Sequence, residues 1–312
     1  MTRIPPGMDG IDSGRRHPQG IRALAARRRA GIIMTAFVWI AALLAVLPLL
    51  AILAHLIIGG AGALSIDFFT HAPAPAGISG GGMANGIVGT LLLVGIASLL
   101  GLPIGLGAGL FLAEHRETRL AEVVRFVADV LSGLPSIVLG IFAWELIVRP
   151  SGHFSALAGG FALGLVIVPL VTRATEEMVN LVPATLAEAA LALGFSRWRT
   201  SLVIVLRTAM PGIVTAALVA VARAAGETAP LLFTAFGNSY WSLDPTRPIA
   251  ALPLQIFAYA QSPYDDWRAQ AWAGALVLLL LVTVMSVIAR AVLRARQALI
   301  AGVAPRADSR DV

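Results

Sequence analysis

Six long apolar stretches, at roughly residues 31–58, 86–113, 126–148, 154–172, 208–236 and 271–293, set the terms on which this chain can fold. A helix needs about 20 mostly apolar residues to cross the roughly 30 Å hydrocarbon core of a bilayer, and every stretch is close to that length or exceeds it. Segments such as Gly274-Ala275-Leu276-Val277-Leu278-Leu279-Leu280-Leu281-Val282 are apolar around the whole circumference, whereas a surface helix of a soluble domain keeps a polar face. With 58% of the 312 residues hydrophobic and 13% charged, little remains for a large domain outside the membrane. The expected fold is all-α: a polytopic membrane protein with six transmembrane helices.

The basic residues give the chain a direction. All are arginines, because the sequence has no lysine, so every cation is permanently charged. A cytoplasmic N-terminus gathers Arg3, Arg15, Arg16, Arg22, Arg27, Arg28 and Arg29 on that side, and an even number of spans returns Arg290, Arg294, Arg296, Arg306 and Arg310 to it. Arg116, Arg119 and Arg125 follow the second span, and Arg173, Arg197, Arg199 and Arg207 the fourth, again on the same side. Arg149, Arg247 and Arg268 fall outside, and Arg223 lies within a span. This asymmetry follows the positive-inside rule. It predicts a multi-pass protein embedded in lipid, with both termini cytoplasmic. The net charge of +6 then reports topology and does not imply nucleic acid as a partner.

The same reading divides the chain. Residues 1–30, rich in Gly, Pro and Arg, form a loosely ordered cytoplasmic tail. The apolar run after it is about 28 residues, longer than the 7–15 of a cleaved signal, so 31–58 is a retained first helix. An extracytoplasmic loop at 59–85 and a five-helix core at 86–296 follow, with a cytoplasmic loop at 180–206 and a cytoplasmic tail at 297–312. There is no cysteine, and His17, His55, His71, His115 and His153 are too scattered to pair on a helix, so neither disulfides nor a metal site is expected.

In so apolar a chain each ionisable residue inside a span stands out. Arg223 and Glu227, four residues apart in Val221-Ala222-Arg223-Ala224-Ala225-Gly226-Glu227-Thr228-Ala229-Pro230, share one helical face. Each would cost about 2.5–3.5 kcal/mol at the bilayer centre, which directs them to the bundle interior or a water-filled path. The pair either neutralises itself and pins two helices, or presents a fixed cation to an anion in transit, a task suited to a guanidinium. Gly226 and Pro230 should break the helix there. A second cluster, Thr172-Arg173-Ala174-Thr175-Glu176-Glu177, closes the fourth span, where Arg173 can reach Glu176 or Glu177 and serves as a solvated helix end or as part of a path. Asp129 and Glu145, near the ends of the third span, receive no transport role.

Beyond the fourth span, Leu181 to Arg199 read as a short cytoplasmic helix: Pro183 suits its first turn, Thr185 and Glu188 have capping-box spacing, and Gly194 can end it. A second helix opening at Ser196 completes an elbow. Within it, Glu188-Ala189-Ala190, Gly194, Ile204 and Leu206 match the Glu-Ala-Ala loop signature of bacterial ABC importers. The chain therefore resembles the membrane subunits of those importers, which implies a type I (MetI-like) permease fold in the bacterial inner (plasma) membrane. Arg207 stands where that family usually has proline, with Pro211 four residues on. Further stretches, among them Leu131-Ser132-Gly133-Leu134-Pro135-Ser136, Thr172 to Glu177 and Arg223 to Leu232, resemble the permeases of phosphate importers.

That resemblance implies an assembly with a homologous permease subunit, two copies of an ATP-binding subunit and an extracytoplasmic phosphate-binding protein. It makes Glu188, Ala189, Ala190 and Gly194 the ATPase-coupling loop, with Arg223, Glu227 and Arg173 on the substrate pathway. Without lysine the chain has no Gly-x-x-x-x-Gly-Lys-Ser/Thr loop, so ATP and magnesium belong on the partner and this subunit is not itself an enzyme. A permease for another oxyanion such as sulfate or molybdate shares the Glu-Ala-Ala loop. A stand-alone channel or secondary transporter has no use for it. An intramembrane enzyme would need paired catalytic groups at membrane depth that the sequence lacks.

Overall fold

A computed structural model describes residues 18–78 and 80–302. It falls into two units, residues 1–55 and 56–312. Helix α1 (Pro18–Gly60) supplies the first, with its last turn in the second. Residues 18–30, expected as part of a loose tail, are thus helical, consistent with the Ala, Leu and Arg content of this stretch. The remaining tail calls, including Arg3, Arg15, Arg16, Arg306 and Arg310, lie outside the described residues.

In the second unit a short α2 (Ile66–Thr70), its first turn capped by the Ser65 hydroxyl, precedes α3 (Ala84–Glu114). Then come α4 (Arg119–Gly133), α5 (Ser136–Ser151, with a π-helical turn at Trp144–Val148) and α6 (Ala156–Asn180). The short α7 (Ala184–Ala192) is followed by α8 (Arg197–Ala225, π-helical over Thr200–Val205), α9 (Ala229–Leu232), α10 (Leu252–Ala260) and α11 (Asp265–Gly302). Among the described residues five helices are long and apolar enough to span a membrane, and α4 with α5 forms a sixth span if taken together.

Two spans differ from their expected form. The third is not one rod: α4 and α5 meet at 108°. Leu134 (ψ 138°) and Pro135 (ψ 137°) are both extended, because the proline ring crowds the residue before it out of the helical region. The fifth begins at Arg197 and ends at Ala225, not at 208 and 236, since the elbow's second helix runs straight into it. Arg207 sits inside this helix, so no turn follows the elbow there. At the other end Gly226 caps α8, and Pro230 opens the separate α9.

The core lies where α3 and α6 cross. Leu93 and Ala97 of α3 and Leu163, Ile167 and Val171 of α6 are buried together with Ala220 and Ala224 of α8. Close approach there depends on α3 glycines: a Cβ on Gly105 would stand 2.7 Å from that of Val171, and one on Gly109 2.5 Å from the Thr172 carbonyl oxygen. Small residues at such seams let helices pack by dispersion where lipid offers no hydrophobic drive. The loop from 237 to 251 is tied down by the start of α6, whose free N–H groups need acceptors: Ala156 donates to the Arg247 carbonyl (3.0 Å) and Leu157 to that of Pro245 (2.9 Å). The short α10 is buried against α3, with the Leu252 N–H donating to Thr90 Oγ1 at 2.8 Å.

Candidate functional site

The break between α4 and α5 makes room. A cavity of about 150 Å³ opens there, lined by Ser132, Leu134, Pro135 and Ser136 from the break, Val166, Pro169 and Leu170 from α6, and Arg223 and Glu227. Arg223 Nε lies 3.8 Å from Glu227 Oε1, beyond hydrogen-bonding distance; its side chain is 63% exposed and that of Glu227 19%. The two are neighbours without a tight bond, but not on one helical face as expected, since Glu227 lies in the break beyond the Gly226 cap; the guanidinium keeps donors free to meet an anion in a setting of hydroxyls and apolar walls. The wall of α5 is locked to α9 by a glycine: a Cβ on Gly140 would fall 2.5 Å from Pro230 Cα.

Arg173 has a different setting. Its Nε and Nη2 both donate to Asp129 Oδ1 of α4, and its Nη1 donates to Glu176 Oε2 at 3.3 Å. Glu176 is buried and also accepts Nε (3.2 Å) and Nη2 (2.7 Å) of Arg125 at its Oε1. Two guanidiniums and two carboxylates thus form a clasp between α4 and α6. Arg173 pairs with Glu176 and not with Glu177, among the described residues. Arg125 and Asp129 are site residues that sequence reasoning left aside. Their four-residue spacing, continued by Ser132, was the available signal for a polar face on α4. Glu145, by contrast, pairs with Arg149 at the exposed end of α5.

At the end of the bundle where α6 stops, Glu188 and Ala189 are exposed on α7 and Ala190 is buried. Pro183 occupies the N-cap, and no side chain caps the helix, so the capping box expected from Thr185 and Glu188 is not formed: Thr185 already lies within the first turn. Gly194 has φ +85°, a left-handed backbone that glycine adopts without strain. Around α7, Leu181, Leu186, Leu191, Leu193, Phe195 and Trp198 are all exposed, an apolar surface of the kind that marks a contact with another protein.

A bundle of apolar helices, a broken span opening a cavity beside a membrane arginine, and an exposed helix at one end define a transport-protein membrane subunit. The chain belongs to the family described as binding-protein-dependent transport system inner membrane component, which it matches over residues 105–297. It is similar to the phosphate transport system permease protein PstA of Yersinia pestis, at 47% identity over 75% of this chain and 79% of that protein. The PstA of Haemophilus influenzae is 44% identical over 85% of this chain and 94% of its own length. PstA 1 of Mycobacterium tuberculosis is 36% identical over 87% and 91%. Among solved structures, an inward-facing form of the MetNI methionine ABC transporter matches with a TM-score of 0.58 over 68% of this chain and 95% of that one, at 19% identity. That likeness shows the MetI-like permease fold.

Proposed function

We propose that this chain is the transmembrane permease subunit of an ATP-driven importer for inorganic phosphate, and that it forms half of the translocation path beside a homologous permease. The observation that carries this is Arg223: a permanent cation, loosely paired, on a cavity at a broken span, in a chain similar over three quarters of its length to phosphate permeases. Two copies of an ATP-binding subunit, holding ATP and magnesium, would engage Glu188, Ala189, Ala190 and the Gly194 turn. An extracytoplasmic phosphate-binding protein would deliver substrate at the opposite face. The arginine asymmetry supports a topology with both termini and α7 in the cytoplasm.

In this reading ATP binding moves α7, and the attached α6 and α8 tilt to open the path outward; hydrolysis returns it inward. Arg223 compensates the charge of hydrogenphosphate in passing, and the loose geometry suits a site that must release what it binds. Replacement of Arg223 by Gln should lower uptake of radiolabelled phosphate into cells about tenfold or more, the loss expected for charge-assisted hydrogen bonds, while the complex still assembles and hydrolyses ATP. Uptake at the wild-type rate would refute the pathway role.

A further inference from the structure

The facing sides of α4 and α6 run between two cationic stations, Arg173 of α6 and Arg223 of α8. On α4, Arg125, Asp129 and Ser132 follow one another at four and three residues; on α6, Glu176, Arg173 and Leu170 do so at three. One end of this face is the Arg173 clasp, and at the other Ser132 and Leu170 line the cavity that holds Arg223. Three residues advance a helix by about 4.5 Å, so the clasp begins about one turn from the cavity wall.

The two carboxylates on Arg173 differ in kind. Glu176 is buried and anchored by Arg125 as well. Asp129 is 54% exposed and holds the Nε–Nη2 edge of Arg173, the edge whose parallel N–H groups fit an oxyanion. It also sits four residues before α4 ends at the bend. We infer that Asp129 is a place-holder for the substrate: its carboxylate occupies Arg173 until hydrogenphosphate arriving from Arg223 displaces it, and by reclaiming Arg173 it expels the anion. This rests on the reading of the chain as a phosphate permease. The clasp is neutral with Asp129 in place, so adding an anion without releasing a carboxylate would leave excess negative charge around the buried Glu176. Exchange avoids this, because the exposed Asp129 can swing to water. Glu176, held by two guanidiniums, stays as the fixed point, and Asp129 is a positioning residue that acts through Arg173.

The test uses the whole complex, with partner permease, ATPase and binding protein, in proteoliposomes, together with equilibrium binding of radiolabelled phosphate to the solubilised complex. Asp129→Asn should slow turnover about fivefold without raising KM, and tighten phosphate binding by a similar factor, since a partly exposed ion pair is worth up to about 1 kcal/mol. Asp129→Glu should restore turnover, and in an Arg173→Gln background Asp129→Asn should change binding no further. Wild-type turnover and binding in Asp129→Asn would overturn the proposal, as would an Asp129→Glu variant as slow as the asparagine. Wild-type vesicles that accumulate no phosphate would overturn the phosphate reading, and the proposal with it.

Discussion

Substituting alanine for Gly109 tests how tightly the clasp depends on the seam beneath it. The new Cβ would lie 2.5 Å from both the Thr172 carbonyl oxygen and Thr175 Cβ, about 0.9 Å inside the 3.4 Å at which ordinary contact begins. One of those neighbours is backbone, so α6 itself must move, and it moves at the turn that carries Arg173 and Glu176. Overpacking of this sort costs about 1–3 kcal/mol, offset by about 1 kcal/mol of helix propensity gained on replacing glycine. Gly107, two residues earlier, has nothing within 4 Å of its virtual Cβ, so Gly107→Ala keeps the propensity gain and escapes the clash. The propensity gain is common to both, so the two variants should differ by the overpacking cost alone, roughly 1–3 kcal/mol. At about 2–4 °C per kcal/mol, that is a gap of roughly 2–12 °C in the thermal midpoint of the purified complex, with Gly109→Ala the lower. Gly109→Ala should also lose phosphate uptake at permissive temperature, because the Asp129–Arg173 geometry shifts with α6. Equal midpoints for the two variants would show that the α3–α6 seam is not packed as described.

Gly194→Ala forces alanine to φ +85° with no atom in its way, a backbone cost of about 1–2 kcal/mol; uptake should fall with the ATPase less stimulated by transport, whereas Gly152→Ala, equally strained at φ +74° in the turn before α6, should transport normally. Gly140→Ala would place a Cβ 2.5 Å from Pro230 Cα, so it should lower the rate of phosphate uptake with assembly intact, as measured by pull-down of the ATPase alongside uptake.

The spans were legible in the sequence because their length alone satisfies the bilayer, and no tertiary contact is needed to read them. Where apolarity ran on through a break, it misled: 126–148 is apolar across Leu134 and Pro135, and only the pre-proline constraint marked the bend. The fifth span shifted for the complementary reason, since Arg197, Arg199 and Arg207 argued against membrane while their helix propensity carried α8 straight through. Helix α10, nine residues long, is too short to register as a span. Local chemistry read better: Arg173 and Glu176 are helical neighbours whose proximity follows from spacing, and Arg223 and Glu227 stay within 3.8 Å although the helix ends between them. The Asp129–Arg173 pair joins residues 44 apart, and no periodicity within one helix can announce it.

The connection from α7 to the clasp is short enough to be mechanical. Only Leu181, Val182 and Pro183 separate the end of α6 from α7, and Glu176 lies four residues before that end. Arg116, in the turn between α3 and α4, donates to Asn180 Oδ1 at 2.5 Å, so the last turn of α6 is also held from the α4 side. A pull on α7 therefore reaches two links between α4 and α6 that differ in strength. Arg125–Glu176 has its carboxylate buried and is made by two N–H donors to one oxygen, whereas Arg173–Asp129 is open to water on the carboxylate side. Strain falls first on the weaker link, because a half-exposed carboxylate regains hydration as it leaves and a buried one does not. On the proposed mechanism the same movement that opens the path also frees Arg173 for the anion. Substrate release and the resetting of the gate then become one event, the return of Asp129.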